Sequence, residues 1–322
     1  MELTCGHHRY QWQGDWAKLP MHLKLGYTHG IVEDRAGRIY IANQGDHGIL
    51  VFDANGKYLS SWGAEFSKGA HGLTLADENG TEFLYLANTG IAEVVKTTLT
   101  GEVIWKIGTP PRPDLYDNDK KKFSPTETAV GPNQRLYVAD GYGQSWIHIY
   151  TLDGKYESSF GGLGTENGKL TGSHGVQIDA RGAQPFVQVA NRDNRRIDNF
   201  TLDGQFIATI LDGTQVRYPC TTVPAGDLLY IPDLFCRVSL FDRQNRLIGH
   251  LGDFVDGATL TSWAQFKSGE FPALAGYPNI PLSQRVPGKF IAPHSLHVNR
   301  DGDIFVVEWV QEGRITKLKR LA

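Results

Sequence analysis

The chain is poor in cysteine and methionine, with three and two of these residues among 322, and it has no long apolar run. A membrane-spanning helix needs about 20 consecutive apolar residues, so we expect no membrane partner. An odd, small number of cysteines does not make a disulfide framework, which favours a reducing compartment. The formal charge is −3, and polyphosphate binding calls for a basic surface, so we expect no nucleic-acid partner either.

The N-terminal segment MELTCGHHRY also lacks the apolar core of a signal peptide. A cytoplasmic protein is therefore the expectation from the sequence. An exported protein is the alternative, if a leader was removed.

Glycine and aromatic residues are plentiful, with 37 glycines and 11% aromatics, which is typical of many strands and turns. One phrase, HGIVEDRAGRIYIAN, recurs along the chain in modified form. Each copy predicts an alternating strand, a turn and a second strand, followed by two strands joined at a turn such as Asp-Gly or Asn-Gly. The six copies begin at His29, His71, Thr126, His174, Cys220 and His294.

Four-stranded units repeated radially form a β-propeller, so six copies predict an all-β, six-bladed propeller. The last copy has only three strands, ending with residues 313–321, and HRYQWQG (8–14) is expected to supply the fourth and close the ring. We predict a single domain over residues 1–322. It carries two insertions, at 109–122 and 253–290, each placed ahead of the first strand of a blade, and long loops of this kind are often functional or mobile.

In a propeller the first strand of each blade lines the central channel. The first residues of the six copies are therefore expected at one end of the channel, and four of them are histidine. Imidazole is a common ligand of zinc and similar ions, so this pattern predicts a metal site. The alternative is a packing role, in which each imidazole bonds the neighbouring backbone. The remaining histidines, His148 among them, are interpreted as surface or turn residues.

Three phrases of the chain carry a family resemblance: FSPTETAVGPNQRLYVADGYGQSWIHIY (123–150), ANRDNRRIDNF (190–200) and PHSLHVNRDGDIFV (293–306). They resemble the peptidyl-α-hydroxyglycine α-amidating lyases and their bacterial relatives, which are propellers of NHL-like blades. The resemblance runs roughly from Gly26 to Leu318. It implies a metal-dependent lyase that cleaves a carbinolamide.

The resemblance also implies roles for individual residues. Tyr142 matches the catalytic tyrosine and Arg192 a substrate-binding arginine at the reacting centre. Glu127, in the Pro-Thr-Glu phrase, is expected to contact the substrate. The family's metal ligands match His71, His174 and His294.

The chain departs from the family at several positions. Gln44 stands where a second substrate-binding arginine is expected, and a neutral amide suits a hydroxylated or neutral group better than a carboxylate. Ser295 replaces the aspartate of the family's structural calcium site, which argues against that calcium. His29 is additional, and its roles are left open: a fourth ligand, a base near the metal, or a backbone-bonded side chain.

Three functions follow as alternatives. The first is a metal-dependent lyase of the amidating type, which cleaves a carbinolamide-like C–N bond, or a C–O bond, of a hydroxylated substrate. The second is another metal-dependent lyase or hydrolase acting on a sugar or a hydroxylated small metabolite. The third is a non-catalytic propeller that binds a protein, against which the four histidines argue. Zinc suits three imidazoles best, while manganese, iron, cobalt and nickel stay open. The expected partner is a small-molecule or peptide-terminal substrate, and the oligomeric state is left open.

Overall fold

The computed structural model describes residues 1–117, 122–255, 274 and 276–322. Within these residues, strands carry nearly all the regular structure, and helical turns are short. In this part of the chain, 3₁₀ helices are formed by Ala64–Gly69 and Leu282–Gln284.

Five of the six repeats fold as four-stranded antiparallel sheets, with the strands in chain order from the channel outwards. These sheets are blades 1 to 5 of a propeller, as the repeats predicted. Blade 1 begins at the third strand of the chain and consists of β3 (Thr28–Glu33), β4 (Ile39–Asn43), β5 (Ile49–Phe52) and β6 (Tyr58–Trp62). Blade 2 consists of β7 (Ala70–Glu78), β8 (Thr81–Asn88), β9 (Glu93–Thr98) and β10 (Val103–Ile107).

The next three blades repeat this order. Blade 3 consists of β11 (Glu127–Val130), β12 (Arg135–Ala139), β13 (Trp146–Thr151) and β14 (Tyr156–Gly161). Blade 4 consists of β15 (Ser173–Asp179), β16 (Phe186–Asn191), β17 (Arg196–Phe200) and β18 (Phe206–Leu211). Blade 5 consists of β19 (Val223–Ala225), β20 (Leu228–Asp233), β21 (Arg237–Phe241) and β22 (Leu247–Leu251).

Blade 6 is closed by the N-terminal residues, which confirms the predicted ring closure. Its sheet runs outwards through β23 (Pro293–Val298), β24 (Ile304–Glu308), β25 (Arg314–Leu321), β2 (His8–Gln13) and β1 (Glu2–Cys5). Arg9 pairs with Leu321 and Gln13 with Lys317. The fifth strand, β1, was not predicted. A tight turn at Gly6, with φ +59°, folds it back on β2, where it covers the open edge.

The first strands of the blades contact one another in a closed ring, from β3 through β7, β11, β15 and β19 to β23 and back to β3. These strands therefore line the central channel. Apolar clusters lie between adjacent blades, as where Tyr137 of blade 3 packs with Val189 of blade 4. The first residues of these strands form one end of the channel, and each first strand is fixed by its two neighbours in the ring.

Both predicted insertions precede the first strand of a blade. Residues 118–121 of the first insertion and 256–273 and 275 of the second lie outside the described residues. From the first insertion, Tyr116 packs against blade 3 and donates to Asp140 at 2.7 Å. From the second insertion, Tyr277 and Ile280 are buried in a cluster with Phe235. None of the helices in the described part of the chain has the length and apolar character of a membrane span.

Candidate metal centre

Four histidine rings meet at one end of the channel. The ring centroids of His29 and His71 are 4.4 Å apart, and those of His71 and His174 are 5.0 Å apart. His294 lies between 4.5 and 4.8 Å from the other three rings. Each of the four residues is at most 5% exposed. The repeat thus brings together residues separated by more than 260 positions in the chain.

Glycine follows three of these histidines because the next inner strand passes very close. A Cβ on Gly72 would lie 2.5 Å from the Thr126 carbonyl oxygen, and one on Gly175 would lie 2.5 Å from that of Cys220. Real Cβ atoms do not approach a carbonyl this closely. The His-Gly pair therefore permits the carbonyl of the following blade to reach the imidazole.

That carbonyl decides which ring nitrogen carries hydrogen. Nδ1 of His71 lies 2.6 Å from the Thr126 oxygen, and Nδ1 of His174 lies 2.8 Å from the Cys220 oxygen. Nδ1 of His294 lies 3.3 Å from the His29 oxygen. Because a carbonyl oxygen only accepts, each Nδ1 is the donor and each Nε2 keeps a lone pair.

Too few hydrogen-bond donors lie near these three Nε2 lone pairs. The Tyr142 hydroxyl lies 3.0 Å from Nε2 of His174 and 3.3 Å from Nε2 of His71, but it has one hydrogen to donate. Nε2 of His294 has no hydrogen-bond partner among the described residues. Buried acceptors without donors are costly. A cation at this place would satisfy them, so the donor set fits a divalent metal.

The four imidazoles are neutral near pH 7, as metal ligands must be. Burial lowers the pKa of His71 to about 3. Burial also puts the pKa values of His29, His174 and His294 well below the ordinary value, and charge on neighbouring groups lowers them further. Protonation of these imidazoles is therefore unfavourable near pH 7, and their lone pairs are available to a metal ion.

The possible ligand atoms form two compact groups, in each of which they lie within 4.8 Å of one another. The first group is His29, His71 and His294, and the second is His174, Cys220 and His294. The predicted triad of His71, His174 and His294 is divided between them, with His294 common to both. Cys220 was not predicted as a ligand, although its place at the start of a repeat was a signal that could have identified it.

His29 differs from the other three histidines. Its Nδ1 has no hydrogen-bond partner among the described residues, although Gly30 follows it and the His71 carbonyl lies nearby, 2.8 Å from where a Cβ of Gly30 would be. A backbone hydrogen bond at Tyr27 nevertheless acts on the imidazole and raises its pKa, against the larger effect of burial. The ligand role, the role as a base and the packing role therefore all stay open for His29.

Arg192 lies buried beside this cluster, with only 3% of its surface exposed. Its guanidinium packs over the rings of Tyr142 and Tyr218, at 5.3 and 4.8 Å from their centroids. Its Nη1 is 3.5 Å from the Tyr142 hydroxyl. The nearest ion pair is with Asp193, at 3.8 Å, so much of the positive charge is left for a ligand.

Each blade has a buried polar residue at the end of its second strand. In blades 3 and 4 this side chain bonds the backbone of neighbouring loops. Asn191 accepts a hydrogen bond from the Thr171 N–H at 2.8 Å and thereby anchors the turn that presents Arg192. Asp140 accepts from the N–H groups of Ser124 and Gln144, at 2.7 and 2.6 Å. These six residues were not predicted as a group, although each stands at or next to the end of a repeated phrase: Asn43, Asn88, Asp140, Asn191, Asp233 and Glu308.

Two other predicted site residues lie near the channel. Gln44, which follows Asn43, is partly buried and donates to the Ala70 carbonyl at 3.2 Å, next to His71. Glu127 is 6% exposed and accepts from the Thr128 N–H at 3.2 Å. Burial raises the pKa of its carboxyl to about 8. Substrate contact by either residue stays a prediction.

The interpretation of His148 as a surface or turn residue is wrong. It is fully buried on β13. Its Nδ1 lies 2.7 Å from the Ser159 hydroxyl and its Nε2 lies 2.8 Å from the Tyr116 hydroxyl. Polar partners on the neighbouring strand and on the inserted loop compensate for its burial, and neither contact follows from the repeat.

No protein-family model matches the chain. Human NHL repeat-containing protein 3 is 27% identical over 203 residues, which cover 60% of this chain and 57% of that protein. The probable peptidyl-α-hydroxyglycine α-amidating lyase pgal-1 of Caenorhabditis elegans is 24% identical over 279 residues, which cover 85% of this chain and 70% of that protein. The chain spans about half the length of the human and mouse NHL relatives, 57% and 51%. The resemblance to NHL-repeat proteins and to an amidating lyase is confirmed.

Solved propellers share the fold at lower identity. A streptogramin B lyase superimposes with a TM-score of 0.59 at 12% identity, over 99% of this chain and 100% of that one. A gluconolactonase from Xanthomonas campestris gives 0.59 at 12% identity, over 98% and 91%. At such identities the likeness establishes the fold alone.

Proposed function

We propose that this chain is a metal-dependent lyase of the amidating-lyase type. Its substrate would be a carbinolamide, in which an amide nitrogen is attached to a carbon that also carries a hydroxyl. The observation that carries the proposal is the meeting of three imidazole lone pairs, two of which face the Tyr142 hydroxyl while that of His294 has no partner among the described residues, beside the buried Arg192. The similarity to the probable amidating lyase of C. elegans over 85% of the chain supports it.

In this proposal His71, His174 and His294 hold the metal, with His29 as a further ligand or as a base. A divalent ion in such a site lowers the pKa of a hydroxyl and stabilises developing negative charge on oxygen. Zinc remains the expected metal for a set rich in imidazole.

Tyr142 is proposed to relay the proton that the reaction moves. The O–H bond of the carbinolamide and its C–N bond break, while a C=O bond and a new N–H bond form. The Tyr142 side chain is 46% exposed, but desolvation of its hydroxyl beside the buried imidazoles raises its pKa, against the opposing charge of Arg192, so the resting side chain is a neutral phenol. A neutral phenol can accept the hydroxyl proton while passing its own to the leaving amide nitrogen, and it ends the reaction neutral.

Arg192 is proposed to bind the carboxylate of the substrate. A guanidinium forms two parallel hydrogen bonds with a carboxylate. Its Nε has no hydrogen-bond partner among the described residues, and its nearest carboxylate, on Asp193, lies beyond hydrogen-bond length. A carboxylate on the reacting carbon would thereby be held next to Tyr142.

Gln44 favours a second candidate function. It holds in blade 1 the place that Arg192 holds in blade 4, directly after the buried asparagine of the second strand. A neutral amide there suits a hydroxyl group. A lyase or hydrolase that acts on a sugar or another hydroxylated metabolite at the same metal is therefore the alternative.

Metal analysis and a paired substrate assay test both candidates. The purified protein is expected to contain a divalent metal, and N-acyl-α-hydroxyglycines are expected to yield glyoxylate and the free amide in equal amounts. A chelator should abolish the reaction and the metal should restore it. Turnover of keto-sugars or sugar lactones, with no glyoxylate from the metal-loaded protein, would instead support the second candidate. A protein that binds no divalent metal would contradict both.

A further inference from the structure

Cys220 occupies in blade 5 the place that histidine holds in four other blades. It lies ahead of β19, is fully buried and forms no disulfide. Its backbone is fixed on both sides, because its N–H donates to Pro232 at 3.1 Å and its carbonyl accepts from Nδ1 of His174 at 2.8 Å. The thiol is therefore carried by a rigid part of the channel wall.

The sulfur lies close to two of the candidate ligands. The ligand atoms of His174, Cys220 and His294 are all within 4.8 Å of one another. Typical zinc bonds of about 2.0 Å to nitrogen and 2.3 Å to sulfur place two ligand atoms of one tetrahedral ion roughly 3.5 Å apart. A closure of about 1 Å by side-chain rotation would bring the three atoms onto one ion.

A second observation, the unpartnered ring nitrogen of His294, also indicates a ligand between these side chains. His294 is 5% exposed, and its Nε2 has no hydrogen-bond partner in the described part of the chain. This nitrogen keeps a lone pair, because Nδ1 is directed at the His29 carbonyl. Burial raises the pKa of the Cys220 thiol to about 12, against the opposing charge and hydrogen bond of Arg192, so the side chain is a neutral thiol until a metal ion displaces its proton.

We propose that Cys220 is a ligand of the channel metal and forms, with His174 and His294, a mixed sulfur and nitrogen face. On binding, the S–H bond breaks, the sulfur donates its electron pair to the ion, and the proton leaves to solvent. This inference rests on the proposed metal site. It narrows the choice of metal, because a thiolate favours zinc or cobalt over manganese.

Absorption spectra of the cobalt(II)-loaded protein test this proposal. The wild-type protein is expected to show a thiolate-to-cobalt charge-transfer band in the near ultraviolet. Cys220→Ser should bind cobalt more weakly and lose that band. Cys236→Ser is the matched control, since Cys236 is a buried free thiol in the same apolar cluster but belongs to neither ligand group.

The possible failures are distinguishable. Cobalt bound with visible bands but without the charge-transfer band would overturn the role of Cys220 and leave the histidine site intact. No bound cobalt or zinc by elemental analysis would overturn the proposed function as well. X-ray absorption of the zinc-loaded wild-type protein gives an answer without any variant: a zinc–sulfur shell at about 2.3 Å is expected, and a shell of nitrogen and oxygen alone would contradict the proposal.

Discussion

The hydroxyl of Tyr142 lies 3.0 Å from Nε2 of His174. Nδ1 of His174 donates to the Cys220 carbonyl, so Nε2 accepts from the phenol. The same lone pair cannot accept this hydrogen and bind a metal at once. Metal binding would therefore release the hydroxyl of Tyr142, which couples assembly of the metal site to the residue proposed to move the proton.

Loss of a channel histidine should remove the metal. We expect His294→Ala to retain little zinc after dialysis, because His294 belongs to both compact ligand groups. His297→Ala is the control on the same strand, since the His297 side chain is directed at Glu33 at 3.0 Å. Elemental analysis of the two variants measures the difference, and full occupancy in His294→Ala would contradict the assignment.

His29→Ala separates the two active roles left open for His29. If His29 is a ligand, the variant loses metal; if it is a base, the variant keeps the metal and loses turnover. In the second case the variant should also lose the acid limb of the pH–rate profile, which is expected below the ordinary histidine range because burial puts the pKa of His29 well below its ordinary value. Metal content and kcat are measured on one preparation, and a variant unchanged in both would return His29 to a packing role.

Tyr142→Phe should slow the reaction without removing the metal. Loss of a proton relay is expected to lower kcat by about 10²- to 10⁴-fold, while the ring still packs under Arg192. Tyr58→Phe is the control, because it removes a partly buried hydroxyl that bonds Ser61 at 2.7 Å, away from the channel. Steady-state kinetics with metal analysis decide, and unchanged kcat in Tyr142→Phe would remove it from the mechanism.

Arg192→Gln should weaken the binding of substrates that carry a carboxylate. The loss of charged hydrogen bonds is worth about 1.5–3 kcal/mol, which corresponds to a rise in KM of roughly 10- to 100-fold. An amide-capped analogue of the same substrate serves as the control, because its KM should change little. Equal changes for the charged and the neutral substrate would indicate that Arg192 acts through packing on Tyr142 and Tyr218.

The metal-free protein should lose stability in mild acid. Burial lowers the pKa of His71 to about 3 from an ordinary value of 6.5, so between these values the unfolded chain binds a proton that the folded chain does not. Stability therefore falls as the pH falls, by about 1.4 kcal/mol per pH unit for each such histidine. Urea unfolding of the wild type and His71→Gln at several pH values measures the slope. The variant should show a shallower dependence, and equal slopes would contradict the buried neutral state of His71.

The sequence was sufficient to predict the blades and the convergence of the histidines. Alternating strands and hairpin turns are local signals, and their repetition places equivalent residues at equivalent positions of a ring. The pairing of residues 9–13 with the last blade followed from a missing strand. The extra strand β1 could not be predicted in the same way, because only four residues ahead of a tight turn carry its signal.

The six-bladed fold, the channel end at which the repeats begin and the residue types gathered there therefore follow from the amino-acid sequence. The tautomers of His71, His174 and His294 and the approach of Cys220 to the ligand set depend instead on tertiary contacts. The same is true of Nδ1 of His29, which has no hydrogen-bond partner in the described part of the chain. The physical reason is that each depends on which neighbouring carbonyl or side chain comes within about 3 Å of a ring nitrogen. Such distances are set by how closely adjacent inner strands pack, and no repeat in the sequence specifies them.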